Sequence, residues 1–271
     1  MRKISVVILL LRFIFTLTYS QELTLPNTQK PTWIMSDPSE VVTYLLFDTS
    51  LVNNLLPRYL NFVTVKDIAN KGVSWAINHL KSNPNHKNMG ISFLEIVNST
   101  FFEIEGENLE FGSSKAIGIW FARVEVNRMI KTKGTKYLSL EFLVPDMKFC
   151  KYMSSKGYYS EYADVSLVNN EDNNWIGKIV KDNLNITVNF NRKNNFINSG
   201  SYSNQTIFYS KKQKLNKYTI VSFKGHRIFD CSNVKWTIKG KHPLSESIII
   251  GETTFQTDYE LIGSQYNISY E

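Results

Sequence analysis

The sequence predicts an α+β protein in which N-terminal amphipathic helices pack on a long, strongly curved antiparallel sheet. Two observations predict this fold class. Strand-like runs fill the chain from residue 89 almost to its end, and their side chains alternate between an apolar and a polar face. Apolar residues at helical spacing precede them, between residues 37 and 82. No repeat or low-complexity linker divides the 271 residues, so residues 37–271 are predicted to form one domain.

Two helices are expected in the N-terminal part. The first begins at Asp37, which can cap it, and runs to Pro57, which ends or kinks it. The second begins after Thr64, where Asp67 completes a capping pattern. Apolar residues cover more than half of the surface of this second helix. We therefore expect it to be buried against the sheet.

Three long strands are expected between residues 89 and 150, over 91–104, 116–126 and 137–144. On the second strand, Arg123 and Glu125 fall on the face opposite the apolar residues and are expected to meet water. On the third strand, Ser139 and Glu141 point away from an apolar face made by Leu138, Leu140, Phe142 and Val144. Shorter strands are predicted over 158–168, 175–180, 184–190, 206–210, 218–223, 234–239, 247–250 and 253–259, with a polar loop over 194–204.

Residues 1–20 read as a secretory signal peptide, because a short basic start is followed by an apolar run and small residues. An uncleaved membrane anchor is the alternative. Residues 21–36 are predicted to be an extended leader, and the protein is expected to be secreted. Cleavage of residues 1–20 would remove Arg2, Lys3 and Arg12 and lower the formal net charge from +7 to +4, which is too mild to predict a nucleic-acid partner. The basic run over 211–217 is interpreted as a solvated hairpin tip, with weak contact to anionic lipid head groups as the alternative.

The cysteines and sequons fit the same compartment. Cys150 and Cys231 form an even pair in an exported chain, which favours one disulfide over two free thiols. Four sequons would accept glycan where they lie at the surface, at Asn98, Asn185, Asn204 and Asn267.

No signature of catalysis appears in the sequence. The four histidines show no metal-ligand spacing, and the chain has neither a nucleophile elbow nor a phosphate loop. The carboxylate pairs Glu103/Glu105 and Glu107/Glu110 are interpreted as the wet side of a strand. We therefore expect neither an enzyme, nor a metal site, nor a cofactor, although a triad assembled from distant residues stays open.

The order of segments resembles the tubular lipid-binding superfamily, which includes takeout and juvenile-hormone-binding carriers, mite allergens and bactericidal permeability-increasing proteins. The residues that carry the resemblance are a secretory leader and two apolar helices, followed by strands at 90–93, 98–106, 122–126 and 138–147. The chain lacks the early cysteine pair and the long C-terminal helix of that family.

This resemblance implies a carrier or sensor of a hydrophobic small molecule or lipid, held in an apolar cavity between helix and sheet. It implies that the cavity is lined by Leu45, Leu46, Leu55, Ile77, Leu80, Phe102, Ile104, Trp120, Val124, Leu140 and Phe142. The alternatives are a secreted, glycosylated interaction protein with a solid core and no ligand, and a hydrolase with an unrecognised triad. The sequence does not identify a protein partner.

Overall fold

The computed structural model describes residues 33–36, 38–57, 60–110, 114–126, 135–170, 173–210, 215–250 and 255–267. Side chains are described throughout these ranges except at 33, 36, 126, 199–205, 207–226 and 255–267. The predicted signal peptide, most of the predicted leader and the basic run at 211–214 lie outside the described residues.

The described chain is built mainly of strands. They are β1 (Trp33–Ser36), β2 (Ser39–Phe47), β3 (Leu60–Phe62), β4 (Gly90–Asn98), β5 (Phe101–Ile104), β6 (Glu107–Leu109), β7 (Ile117–Val126), β8 (Lys136–Val144), β9 (Glu161–Tyr162), β10 (Asp164–Asn170), β11 (Asn174–Lys181), β12 (Leu184–Ser210), β13 (Leu215–Lys239), β14 (Ile248–Ile249) and β15 (Phe255–Asn267). The α-helices of the described ranges are short: α1 (Val65–Asn70), α2 (Ser74–Ser82) and α3 (Met147–Ser155).

Seven of the strands close into a ring. In the order β8, β7, β4, β2, β15, β13 and β12, each strand pairs with the next in antiparallel orientation. The ring closes where Gln205–Phe208 of β12 runs parallel to Lys136–Ser139 of β8. A closed sheet leaves no unpaired edge within the ring. The first part of β12 leaves the ring to pair with β11, which in turn pairs with β10.

Three hydrophobic cores stabilise this arrangement. The first core lies between one face of β2, β4, β7 and β8 and the layer made by β10, β11 and the start of β12. Because that layer covers one face of the four strands, their other face is turned to the inside of the ring. The second core fills this inner face together with residues of β5, β6 and α3. The third core joins α1 and α2 to Leu46 and Ile91.

The predicted α+β fold of N-terminal helices packed on one long curved sheet is wrong. The segment expected to be the first helix is strand β2, which is followed by two 3-10 turns at Thr49–Leu51 and Asn53–Leu55. Both faces of β2 are largely buried, since Leu45 belongs to the first core and Leu46 to the third. A strand that is apolar on both faces reads as an unbroken apolar run, which periodicity does not distinguish from a helix. The adjacent β-branched residues Val41, Val42 and Thr43 favour the strand.

The second predicted helix is two helices, α1 and α2. They are separated at Gly72, whose φ of 81° lies in the left-handed region. The predicted start is confirmed: Thr64 and Asp67 form a capping box at the N-terminus of α1. The burial is only partial, because Ala76 is the buried residue of α2 while Ile77 is 36% exposed.

The third predicted strand exists as β8, but its side-chain phase changes within the strand. A bulge opposite Trp120 and Phe121 of β7 leaves Leu140 between the paired residues Ser139 and Glu141. Leu138 and Leu140 therefore belong to the first core, whereas Phe142 and Val144 belong to the second. The expectation that all four share one face is wrong, as is the polar loop over 194–204, which is part of β12.

Within the described residues, no helix combines the length and the hydropathy that crossing a bilayer requires.

Candidate functional site

The inner face of the ring bears a group of ionisable side chains, which we call the polar recess. It consists of Glu40 and Tyr44 on β2, Glu95 on β4, Arg123 on β7 and Tyr137 on β8. These residues share the face of the second core, as strand alternation requires. Tyr44, Glu95, Arg123 and Tyr137 keep part of their accessible surface, although apolar neighbours on the same face are buried. That combination is typical of side chains that line a recess.

Aromatic rings form the floor of the polar recess. Phe93 lies at the centre of this floor, with its ring centroid 6.1 Å from that of Tyr44, 5.0 Å from that of Phe121 and 4.9 Å from that of Tyr137. The register explains the contact, because Tyr44 pairs with Phe93 and Phe93 with Phe121 across neighbouring strands. Such a floor offers flat apolar surface to a small molecule, with the polar groups at its margin.

Glu95 is the acid of the polar recess. Burial, and secondly the charge of Glu40, raise the pKa of Glu95 well above its ordinary value of 4.5. Two carboxyl groups this close resist ionising together, so a proton is retained on the pair at a pH where an exposed glutamate has lost it. A carboxyl group tuned in this way can both donate and accept a proton near neutral pH.

The two tyrosines respond to the same surroundings. Burial, followed by the charges of Tyr137 and Glu95, raises the pKa of Tyr44 well above its ordinary value. Burial also raises the pKa of Tyr137, and the charge of Arg123 opposes that shift. Both hydroxyls therefore stay protonated at physiological pH and can donate a hydrogen bond.

Arg123 supplies permanent positive charge at one side of the polar recess. It pairs directly with Tyr137 across β7 and β8, and the backbone carbonyl of Arg123 accepts a hydrogen bond from the N–H of Val63 at 2.9 Å. Thr206 of β12 is the neighbour of Tyr137 on the other side and is 6% exposed. A guanidinium group held on a strand is suited to bind a carboxylate.

A second polar group, which we call the Glu141 cluster, lies between the ring and the outer layer. The Oε1 atom of Glu141 accepts hydrogen bonds from Lys181 Nζ at 3.4 Å and from His242 Nε2 at 2.7 Å. The Nδ1 atom of His242 accepts a hydrogen bond from the backbone N–H of Leu244 at 3.2 Å, which places the proton of neutral His242 on Nε2. Both ring nitrogens are therefore engaged, and His242 has no nitrogen left to act as a general base.

Two other members of the Glu141 cluster, Lys181 and Glu161, are held as charges. Lys181 and Tyr159 both donate hydrogen bonds to Glu161. Burial alone would raise the pKa of Glu161, but these two hydrogen bonds, together with the charges of Lys181 and His242, outweigh burial and lower that pKa. Burial likewise opposes the charge on Lys181, yet the charges of Glu141 and Glu161 raise its pKa. A lysine held as an ammonium is a structural cation and not a nucleophile.

The residues expected to line a lipid cavity do not meet in one place. Leu45, Trp120, Val124 and Leu140 belong to the first core, and Leu55 packs against it. Phe102, Ile104 and Phe142 belong to the second core, Leu46 belongs to the third, and Leu80 packs against the third. Ile77 is exposed. The predicted lining residues are therefore distributed over three separate hydrophobic cores.

The predicted disulfide between Cys150 and Cys231 is not formed in the structure. Cys150 belongs to the second core, where its Sγ lies 3.6 Å from Ser160 Oγ, whereas Cys231 packs against the first core. The spacing in sequence gave no sign that the two residues belong to different cores.

Two of the four sequons have described side chains. Asn185 is exposed, and the Nδ2 of Asn98 donates a hydrogen bond to the carbonyl of Lys115 at 2.6 Å. The side chains of Asn204 and Asn267 lie outside the described residues.

The carboxylates that were expected on the wet side of the first strand are mostly only partly exposed. Glu103, Glu105 and Glu107 are half-buried and Glu110 is exposed. Among the described residues, no group of three or more His, Cys, Asp or Glu side chains is arranged to hold a metal ion.

Sequence reasoning missed the polar recess. Arg123 was assigned to a solvated face because it alternates with apolar residues, but that face is turned into the ring. The available signal was Glu95, an acidic residue within the otherwise apolar stretch of β4. A charge within a strand that is buried on both faces indicates a functional group more often than a solvated one.

No protein-family model matches this chain, and no curated protein is similar to it in sequence. Solved structures are similar in fold. Acetoacetate decarboxylase from Legionella pneumophila superposes with a TM-score of 0.55 over 92% of this chain and 94% of that one, at 10% identity. An acetoacetate decarboxylase-like enzyme from Sphingomonas wittichii gives a TM-score of 0.51 over 92% and 99% of the two chains, at 9% identity.

The chain has the acetoacetate decarboxylase-like fold. A third match agrees: MppR, an enzyme of enduracididine biosynthesis solved with pyruvate, has a TM-score of 0.52 over 91% of this chain and 93% of that one, at 6% identity. The resemblance to the tubular lipid-binding superfamily is therefore wrong. The predicted lipid carrier and its lipid partner rested on that resemblance and are corrected with it. The expectation that the protein is not an enzyme rested on the absence of a catalytic signature, and it is corrected because the similar structures are enzymes.

Proposed function

We propose that this protein is an enzyme that binds a small oxo-carboxylate in the polar recess and moves a proton next to its carbonyl group. The observation that supports the proposal best is that a cation, Arg123, and a carboxyl group of raised pKa, Glu95, both lie close enough to Tyr44 and Tyr137 for their charges to act on these two hydroxyls. Perturbed acids beside a charge partner in a recess are typical of active sites.

Each side chain of the polar recess has a role in this proposal. Arg123 binds the substrate carboxylate, and the aromatic floor contacts its carbon chain. The hydroxyls of Tyr44 and Tyr137 donate hydrogen bonds to the carbonyl oxygen, where negative charge develops when a proton leaves the adjacent carbon. Ionised Glu95 takes that proton and returns it, and its raised pKa makes it a stronger base than an exposed glutamate.

The fold supports the substrate class. Acetoacetate and pyruvate, named with two of the similar structures, are both small oxo-carboxylates. Each of them has a carboxylate that Arg123 can bind and a carbonyl oxygen that can accept hydrogen bonds from Tyr44 and Tyr137.

The proposal does not use an amine nucleophile. Covalent catalysis through a lysine needs a lysine with a depressed pKa beside the substrate. Burial lowers the pKa of Lys136, but this residue pairs with Val124 of the first core and so lies on the opposite face of the sheet from the polar recess. Among the described residues of β2, β4 and β7 that face inward, none is a lysine.

Secretion remains part of the proposal. Residues 1–20 have the composition of a signal peptide, and exposed Asn185 is open to glycosylation.

The test is proton exchange measured by NMR. In deuterated buffer at pH 7, wild-type protein is expected to exchange the methyl protons of pyruvate or the methylene protons of acetoacetate faster than buffer does. Arg123→Ala should raise the KM at least about tenfold, the loss of a charge-assisted pair. Glu95→Gln should abolish exchange while ligand binding persists. Arg227→Ala is the matched control, since Arg227 is exposed and packs near Phe196 and Phe229.

Two results would overturn the proposal. One is the absence of saturable binding by wild-type protein at millimolar pyruvate, acetoacetate and 2-oxobutyrate. The other is an Arg123→Ala variant that behaves as Arg227→Ala does.

A further inference from the structure

Two histidines that are separate in sequence meet at the surface, and we call them the histidine pair. His79 Nε2 lies 2.9 Å from His86 Nδ1, and the two ring centroids are 5.1 Å apart. His79 lies in α2, and His86 lies in the 3-10 turn Pro84–Asn88 that follows it. Both residues are half-buried, so the nitrogens meet at a site that solvent can reach.

Backbone hydrogen bonds hold the histidine pair in place. The N–H of Asn83 donates to the carbonyl of His79 at 2.8 Å, and the N–H of His86 donates to the carbonyl of Asn83 at 3.0 Å. The N–H of Met89 donates to the carbonyl of His86 at 3.0 Å. The side-chain Nδ2 of Asn83 also donates to the His79 carbonyl, at 3.3 Å. Binding a ligand between the rings therefore costs little backbone ordering.

We propose that the histidine pair binds a divalent transition metal of the copper(II) or nickel(II) type. Two imidazole nitrogens 2.9 Å apart, each about 2.0 Å from a metal, subtend an angle of about 90° at it. That is the angle between neighbouring ligands in the tetragonal geometry that copper(II) and nickel(II) prefer. Tetrahedral zinc needs about 109° and a wider nitrogen separation of about 3.3 Å. Water completes the coordination.

The protons of the histidine pair balance without a co-reactant. In the free protein one of the two facing nitrogens carries the proton that the other accepts. When the metal binds, that proton moves to the far nitrogen of the same ring, and both facing lone pairs bind the metal. Lys81 and Lys87 are the nearest cations in sequence and are exposed, where water and salt screen their charges.

The experiment titrates full-length protein, free of any histidine tag, with CuCl₂ and NiCl₂ at pH 7.5 and follows binding by calorimetry. We expect one site per chain that either His79→Gln or His86→Gln weakens at least about tenfold, because each variant removes half of the chelate. His242→Gln removes a histidine of the Glu141 cluster and should leave that site intact. Lowering the pH to 5.5 should weaken binding in the wild type, because protons compete for both imidazoles.

Copper(II) electron paramagnetic resonance supplies an independent readout. The wild type should show hyperfine coupling to two imidazole nitrogens, and either variant coupling to one. The proposal is overturned if the wild type shows no saturable site, or if both variants bind copper and nickel as tightly as His242→Gln does.

Discussion

At the scale of single residues, the informative side chains are those whose chemistry disagrees with their surroundings. Glu95 belongs to a strand whose flanking residues Leu94 and Ile96 are buried, and it shares the inner face with Phe93 and Val97. A glutamate in such a place lowers stability when it ionises, because the charged form loses water without gaining a matched cation. A buried glutamate that lowers stability in this way is typical of a functional site.

Glu95→Gln is predicted to change how stability depends on pH. Because folding raises the pKa of Glu95, the folded state binds a proton that the unfolded chain has released above pH 4.5. The free energy of unfolding of wild-type protein should therefore fall, relative to the variant, as the pH rises from 4.5, by up to about 1.4 kcal/mol per pH unit. Urea unfolding at pH 4.5, 6.0 and 7.5, with reducing agent present, measures this difference.

Glu110→Gln is the control for that series, because Glu110 is exposed. Its stability should follow the wild type at all three pH values. Parallel curves for the wild type and Glu95→Gln would show that Glu95 is solvated, and would remove it as the proposed base.

At the scale of elements, local rules succeeded where the signal was local. The N-terminus of α1 was predicted from Thr64 and Asp67, and the structure contains both bonds of the capping box. The N–H of Thr64 donates to Asp67 Oδ2 at 2.8 Å, and the N–H of Asp67 donates to Thr64 Oγ1 at 3.3 Å. The strand with alternating Leu184, Ile186 and Val188 was also predicted, since one face alone is apolar there.

The same rules gave wrong predictions where the structure depends on residues that are distant in sequence. The β2 segment was mistaken for a helix because its two faces are buried by different cores, which only the assembled sheet shows. The side chains of β8 were assigned to the wrong faces because the strand contains a bulge that no residue type in the sequence indicates. The polar recess followed from neither propensity nor spacing, because its five residues come from four strands that become neighbours only when the sheet assembles.

Thr64→Ala is predicted to destabilise the protein by about 1 kcal/mol, the usual cost of losing a helix cap. The hydroxyl of Thr64 also donates to Asp67 Oδ2 at 2.7 Å, so its loss leaves that carboxylate with one hydrogen bond fewer. Urea unfolding at pH 7 measures the change. Thr64→Ser keeps the hydroxyl and should retain most of the stability, and an equal loss in both variants would assign the effect to the methyl group instead.

At the scale of the whole molecule, the ring separates two kinds of environment. Its inner face contains the polar recess beside the apolar residues of the second core. Its outer face is covered by β10 and β11, and the Glu141 cluster ties this layer to the ring. The cluster joins β8, the end of β11 and the turn after β13, so it fastens segments that are far apart in sequence.

Lys181→Met tests whether the Glu141 cluster stabilises the packing of the outer layer, β10 and β11, on the ring. Glu141 has a side chain 10% exposed, and its Oε2 atom has no hydrogen-bond partner among the described residues. Removing the ammonium group leaves both Glu141 and Glu161 without their cation, and the expected loss is about 2–3 kcal/mol of unfolding free energy, somewhat below the cost of breaking a fully buried pair. The double variant Glu141→Gln/Lys181→Met removes one of the two unpaired charges and should recover part of that loss.

Lys71→Met is the matched control. It breaks the ion pair with Glu125, in which both side chains are 54% exposed, and should cost less than about 1 kcal/mol of unfolding free energy. If Lys181→Met unfolds at the same urea concentration as Lys71→Met, the outer layer is held by the apolar contacts of the first core, and the Glu141 cluster contributes specificity of docking without net stability.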